Sequence, residues 1–108
     1  MTPARGEVWL FDLGMAAKVR PVLIVSAEYG DLDRALVTIV PHTTSLRGSP
    51  HEITIDTGFL KAGAFLVQNV ASYPRAQAIR RLGTLKPGHF DLVFAGLLRW
   101  LGHANPSL

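Results

Sequence analysis

The C-terminal end of the chain carries the apolar periodicity of an α-helix, and nothing before it does. From residue 90 to residue 101, apolar side chains recur at spacings of three and four, which places them on one helix face. This stripe consists of Phe90, Val93, Phe94, Leu97, Leu98 and Leu101. Pro87 suits the first turn and Gly102 suits the C-terminal cap. The pattern therefore predicts one helix that packs on a core made by the rest of the chain.

That remainder has the pattern of short strands separated by turns. Strands are predicted at residues 7–13, 21–26, 35–40, 51–56, 63–68 and 78–82. The segment 21–26 is apolar on both faces, so we expect a central, buried strand. Pro41 is expected to close the third strand, and Gly58, Gly63 and Gly83 are interpreted as turn residues. The predicted fold class is mainly β with a C-terminal α-helix, arranged as a small, partly open β-barrel.

Length and composition predict a single domain over residues 1–108. The chain is 48% hydrophobic and 18% charged, which is enough apolar mass to fold. There are no cysteines, so disulfides and thiolate metal sites are excluded. The chain also lacks a long apolar run and a hydrophobic signal core, and we therefore expect a cytoplasmic protein.

The positive charge is unevenly distributed along the chain. The net charge is +3, and no acidic residue lies between Asp56 and Asp91. Five cations fall in that interval: Lys61, Arg75, Arg80, Arg81 and Lys86. A basic half favours a phosphate backbone as partner, although a solvated cationic face has the same pattern. Arg80 and Arg81 are adjacent on a predicted strand, so only one of them is expected to face a given groove.

Two segments carry residues suited to phosphate chemistry. In the first, Pro21 keeps Arg20 extended at the start of an apolar strand. In the second, residues 40–48, a strand ends in a cluster of hydroxyls with His42 and Arg47 beside it. Cleavage of RNA by its own 2′-OH requires stabilisation of charge on a phosphorane, which the planar arginine fork provides. A threonine hydroxyl can orient a phosphate oxygen. These two segments carry residues suited to RNA cleavage, although Arg20 alone also fits a strand-end arginine paired with a surface acid.

Three motifs in register resemble the MazF/PemK family of toxins. They are the strand Gly6-Glu7-Val8-Trp9, the strand Arg20-Pro21-Val22-Leu23-Ile24-Val25-Ser26 and the strand end Pro41-His42-Thr43-Thr44-Ser45. The similarity continues through residues 79–85 and the closing helix. It implies an SH3-like barrel, a homodimer, sequence-specific cleavage of single-stranded RNA, and inhibition by the C-terminal peptide of a cognate antitoxin. Because the sequence shows no paired metal ligands beside the arginine and threonine, we expect this cleavage to be metal-independent.

The resemblance also assigns roles to individual residues. Arg20 matches the family's catalytic arginine and Thr43 its catalytic threonine, while Thr44 matches the hydroxyl that follows. We expect RNA contacts from six residues: His42, Thr44, Ser45, Arg47, Gln68 and Arg81. The chain departs from the family pattern at residues 68–71, which read Gln-Asn-Val-Ala where many members have an Asp-Gln-Ile/Val-Arg sequence. A sequence preference is therefore not carried over.

Two other functions remain compatible with the same fold. A CcdB-like toxin poisons a protein such as DNA gyrase without cutting RNA, but would not need the arginine–threonine pair. A nucleic-acid-binding regulator with a decayed site is the other alternative, and residues 68–71 keep it open. Metal and cofactor sites are not expected, because the four histidines lack paired ligand spacing and no glycine-rich nucleotide motif is present.

A homodimer is expected on size as well as on resemblance. In a domain this small, Trp9 and Trp100 are predicted to be hard to bury completely, which favours their burial at an interface.

Overall fold

A computed structural model describes residues 2–14 and 18–103. The strands are β1 (Glu7–Asp12), β2 (Val19–Ile24), β3 (Leu36–Thr43), β4 (Glu52–Thr54), β5 (Ala64–Leu66), β6 (Ala71–Pro74) and β7 (Ala78–Thr84). The helix α1 spans Pro87–Trp100. This mainly β architecture with a C-terminal helix confirms the predicted fold class. No helix in the described ranges is long and apolar enough to cross a membrane.

All pairings in the sheet are antiparallel, in the order β4-β5-β3-β2-β1-β7, with β6 paired to β3. The strand β2 lies in the middle and buries both faces. Leu23 belongs to one apolar cluster, with Val40, Phe65 and the helix residue Val93. Val22 belongs to a second cluster on the other face, with Phe11. The predicted central, buried strand is therefore confirmed.

The long strand β3 changes its neighbour on one side along its length. Residues 36–39 pair with β6, whereas His42 and Thr43 pair with β5. Pro41 was expected to end this strand, and that expectation is wrong. The proline lies at the change of partner, where an absent N–H is tolerated as it is at edges and bulges. The strand therefore continues two residues further and carries Thr43 to its end.

Several other expectations are corrected by the structure. The strand at 51–56 is confined to β4, and the strand at 63–68 is shortened to β5 followed by a 3₁₀ turn at Val67–Asn69. The sequence pattern missed β6. Gly83 lies within β7 rather than in a turn, and a Cβ there would meet the Phe59 ring at 2.7 Å. Gly58 does occupy a turn, with a φ of +78°.

The helix begins and ends where the sequence predicts. Pro87 is in its first turn, and Gly102 follows its end with a φ of +84°. The Gly102 N–H donates to the Arg99 carbonyl and the His103 N–H to the Leu98 carbonyl, which satisfies carbonyls left open at the helix end. Arg5 lies against the helix, with its guanidinium 4.6 Å and 4.5 Å from the ring centroids of Phe90 and Phe94.

Candidate active site

The ends of β2 and β3 bring Arg20 and Thr43 to one cavity, which we call the groove. Val22 pairs with Pro41, so extending that antiparallel register by two residues sets Arg20 opposite Thr43. Both residues line the groove, whose volume is about 540 Å³. Ile39 and Pro41 line it as well, because alternate residues of β3 face the same side. The groove thus lies beside the second apolar cluster, with Ile39 on its apolar side and Arg20 and Thr43 on its polar side.

Hydrogen bonding and close packing hold Thr43 in place. Its Oγ1 accepts a hydrogen bond of 3.0 Å from the Ser45 N–H, which leaves the hydroxyl proton able to donate. The backbone beside it is in contact with Gly63, where an added Cβ would overlap the Thr43 carbonyl oxygen. Gly63 had been interpreted as a turn residue. Its role is instead to let the chain pass close to Thr43.

The loop from Ser45 to Pro50 forms one wall of the groove and is anchored by Glu52. One carboxylate oxygen accepts from the Ser49 N–H at 2.9 Å, and the other accepts from the Arg47 N–H at 2.9 Å. Backbone hydrogen bonds, the one from Arg47 foremost, lower the pKa of Glu52 below its usual value. The anchor is therefore charged at neutral pH and would be lost only as the pH falls through that lowered pKa.

Another part of the groove lining comes from the 3₁₀ turn after β5 and from β6. Gln68, Asn69 and Tyr73 line the groove there. Gln68 and Asn69 lie in the 3₁₀ turn Val67–Asn69 and are exposed. Of the expected RNA contacts, the structure therefore brings Ser45, Arg47 and Gln68 together with Arg20 and Thr43.

His42 faces the other side of β3 and is 4% exposed. Its ring packs edge-on against Phe65, with the centroids 5.1 Å apart. Its Nε2 is buried and has no hydrogen-bond partner among the described residues. Burial lowers the pKa of His42, so the imidazole is neutral at physiological pH.

A second cavity of about 540 Å³ lies on that side, and we call it the lysine pocket after Lys18 and Lys61. His42, Thr44 and Phe59 line it with them. Arg20, Thr43 and Ser45 line both cavities. Arg20 and Thr43 therefore lie between the groove and the lysine pocket.

Arg81 lies outside both cavities. Its Nη1 is 3.1 Å from a carboxylate oxygen of Glu7. Burial opposes ionisation of Glu7, but hydrogen bonds from Trp9, the Ala4 N–H and Arg81 outweigh it and lower the pKa of that carboxyl. Arg80 and Arg81 pair with Leu10 and Trp9, and both line one shallow depression, contrary to the expectation that only one of them faces a given groove.

Comparison with known proteins places the chain in a family. Residues 4–101 match the model of PemK-like, MazF-like toxins of type II toxin–antitoxin systems. The chain belongs to this family. The resemblance found in the sequence is thereby confirmed.

Individual MazF-like proteins are similar over most of the chain. A probable endoribonuclease, MazF5, of Mycobacterium tuberculosis (strain ATCC 25618 / H37Rv) is 36% identical over 88 residues, which are 77% of this chain and 78% of that protein. A mycobacterial endoribonuclease solved in complex with its cognate antitoxin has a TM-score of 0.82 at 27% identity, covering 96% of this chain and 99% of that one. A MazE–MazF structure from Deinococcus radiodurans, at 21% identity, shares the fold with a TM-score of 0.79, covering 96% and 100%.

Three groove features were missed in the sequence: Glu52, Tyr73 and the packing of Gly63. Glu52 lies two residues after the Gly/Ser/Pro-rich loop, and a carboxylate there is a signal for a loop whose N–H groups need an acceptor. Tyr73 lies on β6, which the pattern did not reveal. No group of three or more His, Asp or Glu residues in 2–14 and 18–103 is placed to hold a metal ion.

Glu52→Gln tests whether the anchored loop matters for cleavage. An amide offers one acceptor oxygen where the carboxylate offers two, so the Arg47 and Ser49 N–H groups lose part of their support. We expect RNA cleavage to fall roughly tenfold, mainly through KM, because the loop loses its fixed geometry. Glu28→Gln, the same change at an exposed site, should leave the rate unaltered. Faster cleavage in Glu52→Gln would mean that relief of charge repulsion outweighs anchoring.

Proposed function

We propose that this protein is a sequence-specific endoribonuclease that cuts single-stranded RNA in the groove without a metal ion. The observation that carries the proposal is the convergence of Arg20 and Thr43 in one cavity. Its support is the family match, together with a 36% identical relative named as a probable endoribonuclease. As the toxin of a toxin–antitoxin pair, it would act on cytoplasmic mRNA.

In this proposal the RNA supplies its own nucleophile. The 2′-oxygen attacks the adjacent phosphorus and loses its proton, the bond from phosphorus to the 5′-oxygen breaks, and that oxygen gains a proton. The guanidinium of Arg20 stabilises the negative charge that develops on the phosphorane oxygens. The Thr43 hydroxyl, fixed by the Ser45 N–H, donates to a phosphate oxygen and aligns it for displacement. The products are a 2′,3′-cyclic phosphate and a 5′-hydroxyl.

The RNA contacts proposed from the sequence divide into three groups. Ser45, Arg47 and Gln68 reach RNA in the groove, since all three line it. His42 and Thr44 act from the lysine pocket. Arg81 is a phosphate contact at a distance from the groove, and RNA would compete there with Glu7.

Incubation of the purified protein with a long RNA in excess EDTA tests the proposed function. We expect discrete fragments, because Arg20 supplies the charge stabilisation that a metal ion provides in other nucleases. The Arg20→Ala protein serves as the control for contaminating nucleases. RNA that stays intact in EDTA and in magnesium would contradict the proposal and favour a toxin that acts by binding a protein.

We propose that a cognate antitoxin inhibits the enzyme through its C-terminal peptide. The support is a 27% identical mycobacterial endoribonuclease whose structure was determined in complex with its cognate antitoxin. The groove has cations on its walls, Arg20 and Arg47, which an acidic peptide segment would neutralise.

We also propose a homodimer, although the prediction that Trp9 is hard to bury within one domain is wrong. Trp9 is only 4% exposed and its Nε1 donates to Glu7, so the monomer buries it without a partner. Trp100 remains 40% exposed, beside the exposed Leu101 and in edge contact with His51. Light scattering at tens of micromolar protein should give twice the 11.7 kDa chain mass. A monomer mass at that concentration would contradict the dimer.

A further inference from the structure

We propose that the lysine pocket is a second nucleotide subsite, which binds a nucleotide next to the scissile phosphate on the side away from the groove. The proposal rests on the proposed ribonuclease function and adds a site to it. Arg20, Thr43 and Ser45 line both cavities. A phosphate held by Arg20 and Thr43 therefore lies at their common edge. An RNA chain that enters the groove on one side of that phosphate has the lysine pocket on its other side.

The charges of the pocket suit a phosphodiester. Lys18 and Lys61 are both exposed and lie on different loops, before β2 and before β5. Arg20 adds a third cation, and no carboxylate is among the described residues that line the pocket. The groove, in contrast, includes the Glu52 carboxylate. A cavity with three cations favours an anion, and each phosphate it neutralises adds salt-dependent affinity.

Phe59 gives the pocket an aromatic surface for a base. Its side chain is 38% exposed, although one edge of the ring packs against Gly83. An exposed aromatic ring beside lysines is the combination with which proteins bind single-stranded nucleic acid, since bases stack on the ring while cations hold the backbone.

His42 supplies a polar atom that lacks a partner within the protein. Its Nε2 is buried and makes no hydrogen bond to any described residue, and a buried polar group in that state costs folding stability. His42 lines the pocket. Because that atom is buried in the free protein, the ring must turn toward the pocket when RNA binds, and we assign the edge of the bound base as the partner that Nε2 then gains. A hydrogen bond to a base edge would make this residue a determinant of sequence preference.

The volume of the pocket agrees with one nucleotide. About 540 Å³ lies within the range of cavities that bind small ligands. The predicted occupant is therefore a single flanking nucleotide rather than a longer segment of RNA.

The test uses a short RNA that contains a cleavage site mapped with the wild-type protein, with a 2′-deoxy nucleotide at the attacking position to prevent cleavage. Affinity is measured by fluorescence anisotropy over a range of salt concentrations. Phe59→Leu, which retains apolar packing on Gly83, should bind about tenfold more weakly. Lys61→Ala should bind several-fold more weakly and flatten the salt dependence by about 0.7 in the log–log slope. Lys86→Ala, at an exposed lysine that lines neither cavity, is the control and should bind normally.

Abasic substitution in the RNA identifies the nucleotide that occupies the pocket. With the base removed at one of the two positions flanking the scissile phosphate, Phe59→Leu should cause no further loss. His42→Phe keeps a ring against Phe65, so it should lower affinity without lowering the melting temperature; if it fails to fold, the Phe59 and Lys61 variants decide.

Wild-type affinity in both Phe59→Leu and Lys61→Ala would overturn the subsite while leaving the ribonuclease assignment intact. The same conclusion follows if Phe59→Leu still weakens binding with both of the abasic RNAs. A wild-type protein that cuts no RNA would overturn the proposed function itself, and the subsite with it.

Discussion

Arg20→Ala should lower the rate of RNA cleavage at least a hundredfold. The guanidinium lines the groove beside Thr43, and removal of one preorganised group that stabilises transition-state charge typically costs about 3 kcal/mol of barrier. The fold should survive, because Arg20 lies near the start of β2 and belongs to neither apolar cluster. Single-turnover cleavage of a mapped substrate measures the effect, and circular dichroism confirms the fold.

One further variant separates the shape of the Arg20 side chain from its charge, and a second variant is a surface control. Arg20→Lys should restore little activity, because a point charge cannot reproduce the bidentate fork. Arg34→Ala removes an exposed arginine that lines neither cavity and should cut at the wild-type rate. A folded Arg20→Ala protein with wild-type activity would show that the active site has been assigned to the wrong residues.

Gly63→Ala should disable the enzyme although it replaces no residue of the proposed chemistry. The new Cβ would overlap the Thr43 carbonyl oxygen and lie 2.8 Å from His42 Cε1, so the end of β3 must move. We expect a loss of about 1–3 kcal/mol in unfolding free energy. Cleavage should fall roughly a hundredfold, because small displacements of catalytic groups have effects of that size. Chemical denaturation and single-turnover kinetics measure the two effects separately.

Gly88→Ala is the matched control for this change. Gly88 lies in the first turn of α1, and a Cβ there would meet nothing within 4 Å. That variant should fold and cut normally. If Gly63→Ala also retains wild-type stability and rate, the close approach of Gly63 to Thr43 does not position the site.

The elements that the sequence predicted well are those in which local pattern and tertiary environment agree. The helix α1 has both an apolar stripe and terminal residues of the correct type, and its bounds follow from them. Residues 22–24 of β2 are all apolar because both faces of the strand are buried there, one against each cluster. In both elements the apolar residues are the ones that the fold buries, so the sequence pattern predicts the structure.

The elements that were missed depend on contacts between distant segments. The strand β6 has only four residues and is half-exposed, so its pattern is weak, and its pairing with Leu36–Ile39 defines it. Pro41 has the local signature of a strand end, but the change of partner from β6 to β5 tolerates it. The requirement for Gly63 likewise comes from the Thr43 carbonyl, twenty residues away in the chain.

In the site, too, some residues could be predicted from local sequence and others depend on the folded structure. Arg20 and Thr43 could be proposed because their segments resemble a known family, and the β2–β3 register accounts for their proximity. The resemblance does not say on which side of β3 the neighbours of Thr43 lie. His42 and Thr43 are adjacent in sequence, yet strand alternation turns His42 toward Phe65 of the first apolar cluster and Thr43 toward the groove.

The chemical termini of the RNA fragments test the central claim most directly. A mapped substrate is cut by the wild-type protein in EDTA, and the downstream fragment is offered to a polynucleotide kinase with and without prior phosphatase treatment. If Arg20 and Thr43 catalyse attack by the 2′-OH, the fragment is labelled without phosphatase, because its end is a 5′-hydroxyl. A fragment labelled only after phosphatase, or cleavage that requires added divalent metal, would contradict the account.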